Sequence, residues 1–302
     1  MRASVIIPTR DRADSLRRLL ESLKSLECPG SVGVEILIVN NGSVDNTKEL
    51  LHVEGGKTRV FSLRILEEKR RGKANALNLG LTEAHGEILV ILDDDVVAER
   101  NCLAQHLAAY QSTDFDAVQG KILPGQDPAG EAADFDRIRE YNIPYIDYGE
   151  EIREIRGLTG TNMSFKRAVF EKVGFFDTRL GPGAAGFSED TEYSIRIRKA
   201  GFKIGYTTHA VVYHELNPNR YGREYNRMVE YRKGLSRSIY RRDSIVFRVI
   251  PNLLANCLRY GLYCLIGKTQ KAYKTEGRIA KCWGYLMGKA RGVTSTDTHS
   301  EV

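Results

Sequence analysis

The segment Glu87–Val97 constrains the fold of this chain most strongly, because an apolar run leads directly into three acids. Ile88 to Leu92 are all apolar and rich in β-branched residues, which predicts a short strand buried on both faces. Asp93, Asp94 and Asp95 follow at once. Ligands of open α/β sheets bind beyond the carboxyl ends of the strands. The three carboxylates therefore predict a site for a divalent cation that carries a phosphate compound; a solvated turn is the alternative.

Predicted strands and helices alternate on both sides of this segment. A helix with Leu16, Leu19, Leu20 and Leu23 on one face follows the first strand, and another covers Ala74–Ala84. The predicted strands of this half are Ser4–Ile7, Glu35–Val39, Ser62–Leu66 and Ile88–Leu92. This order predicts an α/β fold with a mostly parallel central sheet and helices on both faces.

The second half continues with shorter elements up to about residue 218. Helices are predicted at Leu103–Tyr110, Arg167–Val173 and Glu189–Ala200, and strands at Ala117–Ile122, Gly157–Phe165, Lys203–Tyr206 and Ala210–Tyr213. After Pro218 the pattern changes to helices with many Arg and Tyr residues. We therefore predict a domain at 1–218 and a basic helical C-terminal extension at 219–302.

Polar groups follow most of the predicted strands or lie in adjacent loops. They are Pro8-Thr9-Arg10, Asn40-Asn41, Gly72-Lys73, the three acids, Glu189-Asp190 and His214. Two of these groups have simpler explanations that the sequence leaves open. Glu189 and Asp190 also suit the positive end of a helix dipole, and His214 also fits an ordinary histidine at the end of a strand.

Seven segments in this order resemble family 2 glycosyltransferases with the GT-A fold. The segments are Val-Ile-Ile-Pro-Thr-Arg-Asp-Arg, Ile-Leu-Ile-Val-Asn-Asn-Gly-Ser-Val-Asp, Arg-Gly-Lys-Ala-Asn-Ala-Leu-Asn, Leu-Asp-Asp-Asp, Gly-Thr-Asn-Met-Ser-Phe, Ser-Glu-Asp-Thr-Glu-Tyr and Val-Val-Tyr-His, between Ala3 and Glu215. The resemblance implies transfer of a sugar from a nucleotide sugar, usually with inversion. It assigns the nucleotide-sugar part to about 1–98 and the acceptor part to about 99–218.

The resemblance also implies a role for each matching residue. Asp95 and His214 are expected to hold Mn²⁺ or Mg²⁺, a hard ion that carboxylate and imidazole ligands suit. Asp190 is expected to be the base that takes the acceptor proton, with Glu189 beside it. The donor nucleotide is assigned to Pro8, Thr9, Arg10, Arg12, Asn40, Lys73, Asp93 and Asp94, and the sugars to Thr161, Asn162 and Met163.

Two departures from the family pattern bear on the substrate. Asn40 occupies the position where the family usually has an Asp that accepts from uracil N3–H; an amide carbonyl can also accept this bond, so a UDP-sugar stays favoured while the base is open. The Gln-x-x-Arg-Trp of processive synthases is absent, since the single Trp is Trp283. We therefore expect transfer of one sugar. A catalytically inactive GT-A domain that binds nucleotide sugars at a membrane surface is the alternative.

Composition favours a cytoplasmic location. The five cysteines lack paired spacing, as is typical of free thiols in a reducing compartment. A strand pattern begins at Ala3, which predicts no signal peptide.

The C-terminal region differs from the rest in charge. Residues 217–302 contain 17 Lys and Arg against 6 Asp and Glu, whereas the remainder is net acidic. Within 245–291, an apolar helical face precedes a basic stripe from Lys268 to Lys281. This suits a helix lying on an anionic membrane or helices packed on the catalytic domain; no recognition motif supports nucleic-acid binding.

Overall fold

The computed structural model describes residues 2–27, 32–55, 61–125, 144–217, 220 and 222–292. These residues form two compact units. Of the described residues, those within 2–125, 144–177 and 190–216 form the first unit, and those within 178–189 and 217–292 form the second. The domain boundary at 218 stays a prediction.

The first unit contains a sheet of nine strands among the described residues. They are β1 (Arg2–Thr9), β2 (Gly33–Asn40), β3 (Ser62–Glu67), β4 (Ile88–Leu92), β5 (Val96–Ala98), β6 (Ala117–Pro124), β7 (Arg153–Glu154), β8 (Asn162–Lys166) and β9 (Ile204–His214). The strand order is β3-β2-β1-β4-β8-β6-β9-β5, with β7 beside β9. The pairs among β3, β2, β1 and β4 are parallel, and so is β6 with β9, while β8 is antiparallel to both neighbours.

Helices cover both faces of this sheet, as the alternating pattern predicts. They are α1 (Ala13–Lys24), α2 (Thr47–Gly55), α3 (Lys73–Glu83), α4 (Cys102–Ser112), α5 (Arg167–Val173) and α6 (Glu189–Lys199). Leu16 of α1 and Leu103 of α4 belong to one core cluster, whereas Leu77 of α3 and Tyr193 of α6 belong to the other. All five residues of β4 are buried, which confirms a strand enclosed on both sides.

Three predicted strands of the first unit need correction, and two further strands were missed. Lys203–Tyr206 and Ala210–Tyr213 are parts of one strand, β9, whose register against β6 shifts between Gln119 and Lys121. The strand predicted at Gly157–Phe165 begins only at Asn162. The short strands β5 and β7 were not predicted at all, because three and two residues are too few to show a periodic pattern.

An ion-pair cluster lies at the amino end of β2, remote from the three acids. The carboxylate of Glu35 accepts hydrogen bonds from Ser4 Oγ at 2.6 Å and from His85 N at 2.6 Å. Arg64 lies 3.3 Å from the same carboxylate. Burial opposes ionisation of Glu35, but the hydrogen bonds from Ser4, His85 and Arg64 outweigh it and lower its pKa below 4.5.

We expect Glu35→Gln to lower the free energy of unfolding by about 1.5–3 kcal/mol at neutral pH, the usual value of hydrogen bonds to a charged group. Because the folded-state pKa is lower than the unfolded one, this stabilisation exists above pH 4.5 and is lost as pH falls through the folded-state pKa. Urea unfolding of both proteins across this range measures the difference. Glu83→Gln, which removes a more exposed partner of Arg64, is the control; an equal loss in both variants would contradict a special role for Glu35.

The second unit consists mainly of helices, as predicted for the extension. They are α7 (Arg223–Tyr240), a π-helical turn at Ile245–Val249, α8 (Ile250–Leu265) and α9 (Thr269–Arg291). Glycines allow α7 and α9 to approach closely: a Cβ on Gly284 would lie 2.0 Å from the carbonyl oxygen of Tyr231, and one on Gly234 would lie 2.2 Å from that of Lys281. The helices therefore contact through their backbones.

Candidate active site

The three acids that follow β4 have separate polar partners. Asp93 forms an ion pair with Lys73, the first residue of α3, and accepts a 2.9 Å hydrogen bond from Thr161 Oγ1. Asp94 accepts a 2.7 Å hydrogen bond from Thr9 Oγ1 at the end of β1. The carboxyl ends of β1 and β4 therefore bring the acids together with Lys73, Thr161 and Thr9.

The third acid, Asp95, lies between the guanidinium of Arg12 and the imidazole of His214. Its Oδ2 lies 3.4 Å from Arg12 Nη1, and its Oδ1 lies 3.3 Å from His214 Nε2. The side chains of Asp95 and His214 are both buried. This contact depends on β5, which pairs antiparallel with β9 and sets Val96 opposite His214.

The second ring nitrogen of His214 is fixed by the backbone. Nδ1 lies 2.7 Å from the carbonyl oxygen of Glu215, an atom that can only accept. Nδ1 therefore carries the proton in the neutral imidazole, and the lone pair of Nε2 faces Asp95. The Glu215 carboxylate in turn accepts from Ser15 Oγ at 2.7 Å and from Arg18 at 2.5 Å, so the turn after β9 is held to α1.

Repulsion within the acidic cluster is only partly offset. Burial and the charge of Asp95 together raise the pKa of Asp94 to about 7, although Arg12 and the Thr9 hydrogen bond act in the opposite direction. Burial also opposes protonation of Arg12, but Asp95 and Asp94 hold its pKa above the usual value. The three acids therefore keep an excess of negative charge, which a bound cation would offset.

Residues suited to a divalent cation are present. Asp95 Oδ1 lies 3.3 Å from His214 Nε2, which carries a lone pair in the neutral tautomer that the Glu215 carbonyl selects. No group of three His, Cys, Asp or Glu suited to a metal occurs among the described residues. Two protein ligands fit Mn²⁺ or Mg²⁺ carried by a nucleotide, because such ions usually keep oxygens of phosphate and water in their shell.

Asp190 lies next to this cluster through the Gly160–Thr161 turn. Its Oδ2 accepts a 3.1 Å hydrogen bond from Gly160 N, and its Oδ1 accepts one of 2.6 Å from Thr191 N. A Cβ on Gly160 would lie 3.4 Å from Lys73 Nζ and 4.0 Å from Asp190 Cβ. Asp190 and Lys73 therefore flank the same glycine.

Glu189 has a different environment, although it also begins α6. It is buried, and a Cβ on Gly181 would lie 3.0 Å from its carboxylate. Gly181 has a φ of +84°, a backbone conformation that glycine adopts without strain. Glu189 thus packs against the turn at Gly181, and its predicted contact with the acceptor stays a prediction.

The turn after β1 carries the predicted nucleotide ligands. Pro8 is buried at the end of the strand. Arg10 donates to the carbonyl oxygen of Asn41 at 3.2 Å. Asp11 has a φ of +51°, which is uncommon for a residue other than glycine. Its carboxylate accepts from Val44 N at 2.7 Å, and its own N–H donates to Ser43 Oγ. These contacts fix the turn from which Arg10 and Arg12 project.

Asn40 is fully buried, and its amide is occupied by neighbours. Its Oδ1 accepts from Ser43 N at 3.1 Å and from Ser43 Oγ at 2.6 Å, and its Nδ2 donates to the Glu67 carboxylate at 2.9 Å. Both lone pairs of the carbonyl are used, so the structure gives no support to Asn40 as the acceptor for a base. Sequence reasoning missed Glu67, which is exposed at the end of β3; the neutral Asn40 is suited to donate to it.

The structure separates the three residues assigned to the sugars. Thr161 contacts Asp93, as described above, whereas Asn162 and Met163 are completely buried. Asn162 Nδ2 donates to the carbonyl oxygens of Lys121 and Ala210 at 3.0 and 2.8 Å. Its side chain ties β8 to β6 and β9, and Met163 lies in a core cluster. Neither side chain is open to a ligand, so the expected sugar contact is not supported for these two.

Sequence reasoning also missed the partner of Asn162, His106 of α4. His106 Nε2 lies 2.8 Å from Asn162 Oδ1, and Nδ1 lies 2.9 Å from Ser164 Oγ. Burial lowers the pKa of His106 to about 4, although the bond to Asn162 opposes this. A neutral ring with the proton on Nε2 satisfies both contacts. The role of His106 is structural, in the first unit's interior.

Comparison with known proteins adds to this geometry. The family model described as Glycosyl transferase family 2 matches residues 4–174, which is more than half of the chain. The chain belongs to this family. The sequence resemblance is thereby confirmed, and the enzyme class is that of glycosyltransferases.

Individual relatives agree with this assignment. The glycosyltransferase AglE of Haloferax volcanii is 28% identical over 216 residues, which cover 71% of this chain and 67% of AglE. The mannosyltransferase PcManGT of Pyrobaculum calidifontis, solved with GDP-Man and Mn²⁺, is 19% identical with a TM-score of 0.57 over 97% of this chain and 76% of its own.

A third similar structure is GalNAc-T7, solved with UDP, GalNAc and Mn²⁺. It is 18% identical with a TM-score of 0.54, and the match covers 79% of this chain and 50% of GalNAc-T7. The chain spans about half the length of several curated relatives that it matches. These structural likenesses show the fold, and the predicted GT-A architecture is confirmed.

Proposed function

We propose that this protein is a metal-dependent, inverting and non-processive glycosyltransferase that moves one sugar from a nucleoside-diphosphate sugar to a hydroxyl acceptor. The observation that carries this proposal is the meeting of Asp93–Asp95, Lys73, Arg12, His214 and Asp190 in one unit. An inactive domain that only binds nucleotide sugars has no need of the Asp190 carboxylate beside these groups.

The residues divide into two functions. Asp95 and His214 are the proposed ligands of Mn²⁺ or Mg²⁺, which when bound supplies positive charge for the leaving diphosphate. Asp93 and Asp94 are proposed to contact the ribose hydroxyls and the outer shell of the ion. Lys73, which pairs with Asp93, is proposed to turn to the phosphates when a donor binds.

Asp190 is the proposed base. Its Oδ1 already accepts from Thr191 N and Thr191 Oγ1, whereas Oδ2 accepts only from Gly160 N among the described contacts. Each carboxylate oxygen has two lone pairs, so Oδ2 can take the proton of the acceptor hydroxyl. A base that only removes the acceptor proton lets the acceptor oxygen attack the anomeric carbon directly, and such a direct displacement inverts the configuration.

A UDP-sugar is the favoured donor, with Glu67 in place of Asn40 as the acceptor for the base. A carboxylate accepts from uracil N3–H, and it also matches the N–H groups of guanine. Among similar proteins, one structure holds UDP and another holds GDP-Man. We propose a lipid-linked acceptor or a cell-surface glycan precursor, and a cytoplasmic location at the inner membrane face, because the C-terminal helices are basic.

We expect UDP with Mn²⁺ to raise the melting temperature by several degrees, since saturation at a hundred times Kd adds about 2.7 kcal/mol of apparent stability. GDP with Mn²⁺ serves as the comparison. UDP-sugars should then release UDP slowly without an acceptor, as chromatography would show. Stabilisation without release from any donor, even with acceptors present, would favour an inactive binding domain.

A further inference from the structure

One face of α8 and the π-helical turn before it exposes apolar side chains to solvent. The exposed fractions reach 87% for Phe247, 77% for Leu258 and 87% for Leu265. The remaining large members of this outward face are Ile250, Leu254 and Leu262, which are 40–60% exposed. At 100° per residue, these six positions fall within one contiguous sector of the helix.

The opposite face of α8 is the more polar one, yet it packs against the protein. Asn256 is buried there, and Tyr260 and Tyr263 are half-buried. Tyr260 accepts a 2.6 Å hydrogen bond from Arg223 of α7, and Lys271 of α9 lies over the Tyr263 ring. The helix is thus amphipathic in the inverse sense, with its apolar residues turned outward, which indicates a binding surface.

Charge limits what can cover this surface. No Asp or Glu occurs from Ser244 to Thr275, whereas five basic residues do: Arg248, Arg259, Lys268, Lys271 and Lys274. The acids at either border are already paired, Asp243 with Arg237 and Arg248, and Glu276 with Arg223 and Arg227. A second copy of the same face would bring like charges together, while an anionic lipid surface complements them.

The length of α8 determines how it can lie. Its 16 residues span about 24 Å, less than the hydrocarbon core of a bilayer. None of the described helices has the length and apolar content needed to cross a membrane. We propose that α8 lies in the plane of an anionic phospholipid bilayer, with its outward face among the acyl chains and the basic residues at the headgroups.

This proposal concerns the second unit and names the bilayer in which a lipid-linked acceptor would lie. It rests on the proposed function only for the reason why the protein would bind a membrane. Vesicle binding needs neither a donor nor turnover, and UDP release from soluble donors needs no vesicle. Each can therefore fail while the other holds.

The first test is flotation of the full chain with vesicles of phosphatidylcholine, with and without phosphatidylglycerol. We expect binding to the anionic vesicles only. Leu258→Glu should bind at least about tenfold more weakly, because it removes a leucine side chain that the bilayer would bury. Val53→Glu, at a 58% exposed position of α2, is the matched control and should bind normally. UDP release should be unchanged in both variants.

The basic residues provide an independent arm. Lys268→Gln with Lys274→Gln should weaken binding by about 25-fold at low salt, because each charge near an anionic surface contributes about 1 kcal/mol. Added salt should reduce the binding of the unmodified chain in the same way.

Insertion is tested by moving the single tryptophan. In a Trp283→Phe chain, Leu258→Trp should be quenched by lipids brominated on the acyl chains, and Val53→Trp should not. Absence of quenching, or equal binding of Leu258→Glu and the unmodified chain, would overturn the proposal. So would a dimer that Leu258→Glu dissociates, together with no vesicle binding, because it would assign the face to a second copy.

Discussion

Asp190→Asn is expected to lower kcat by about 10³-fold, within the range that a positioned general base contributes. The amide cannot take a proton at the atom that replaces Oδ2. Its carbonyl can still accept one of the two backbone bonds from Gly160 and Thr191 that hold the Asp190 carboxylate, so the start of α6 is retained. The measurement is steady-state transfer, with the donor Kd determined separately.

The same helix offers a matched control, Glu192→Gln. Glu192 forms an ion pair with Arg196 along α6, a contact that affects the helix and not the cluster of acids. We expect transfer close to that of the unmodified chain. A fall in donor affinity that accounts for the whole loss of rate in Asp190→Asn would contradict the role of base and would assign Asp190 to donor binding.

The local part of the fold could be predicted from the sequence. The apolar runs of β1, β2 and β4 are buried as predicted, and Leu16 and Leu19 of α1 face the core. These predictions succeed because the burial of an element is encoded in its own periodicity.

Contacts across the sheet could not be predicted in this way. The approach of His214 to Asp95 requires β5, whose three residues show no period, to pair with β9 more than a hundred residues later. The resemblance assigned both residues to one metal ion, but only the pairing of β5 with β9 shows how their side chains come into contact. Likewise, the resemblance assigned Asn162 to a sugar, whereas in the structure His106, Lys121 and Ala210 enclose its side chain.

Asp95→Asn is expected to abolish the metal-dependent part of donor binding and to reduce kcat/KM by at least about 10³-fold, since a divalent ion contributes several kcal/mol at a leaving phosphate. Asparagine keeps the shape of the side chain but removes the anionic ligand beside His214 Nε2. Two readouts address the ion: electron paramagnetic resonance of bound Mn²⁺, and the rise in melting temperature with Mn²⁺ and UDP. Both should be lost.

Stability without ligand distinguishes this role from a structural one. The charge of Asp95 raises the pKa of Asp94, so the two carboxylates repel each other, and Arg12 retains Asp94 as a neighbour when Asp95 is neutral. The unliganded Asp95→Asn chain should therefore melt at or above the temperature of the unmodified chain. Asp116→Asn, which removes an acid paired with Lys166 elsewhere in the unit, should keep both metal readouts. An Asp95→Asn chain that melts lower yet still binds Mn²⁺ would show that Asp95 holds Arg12 and His214 in place and that the ion has other ligands.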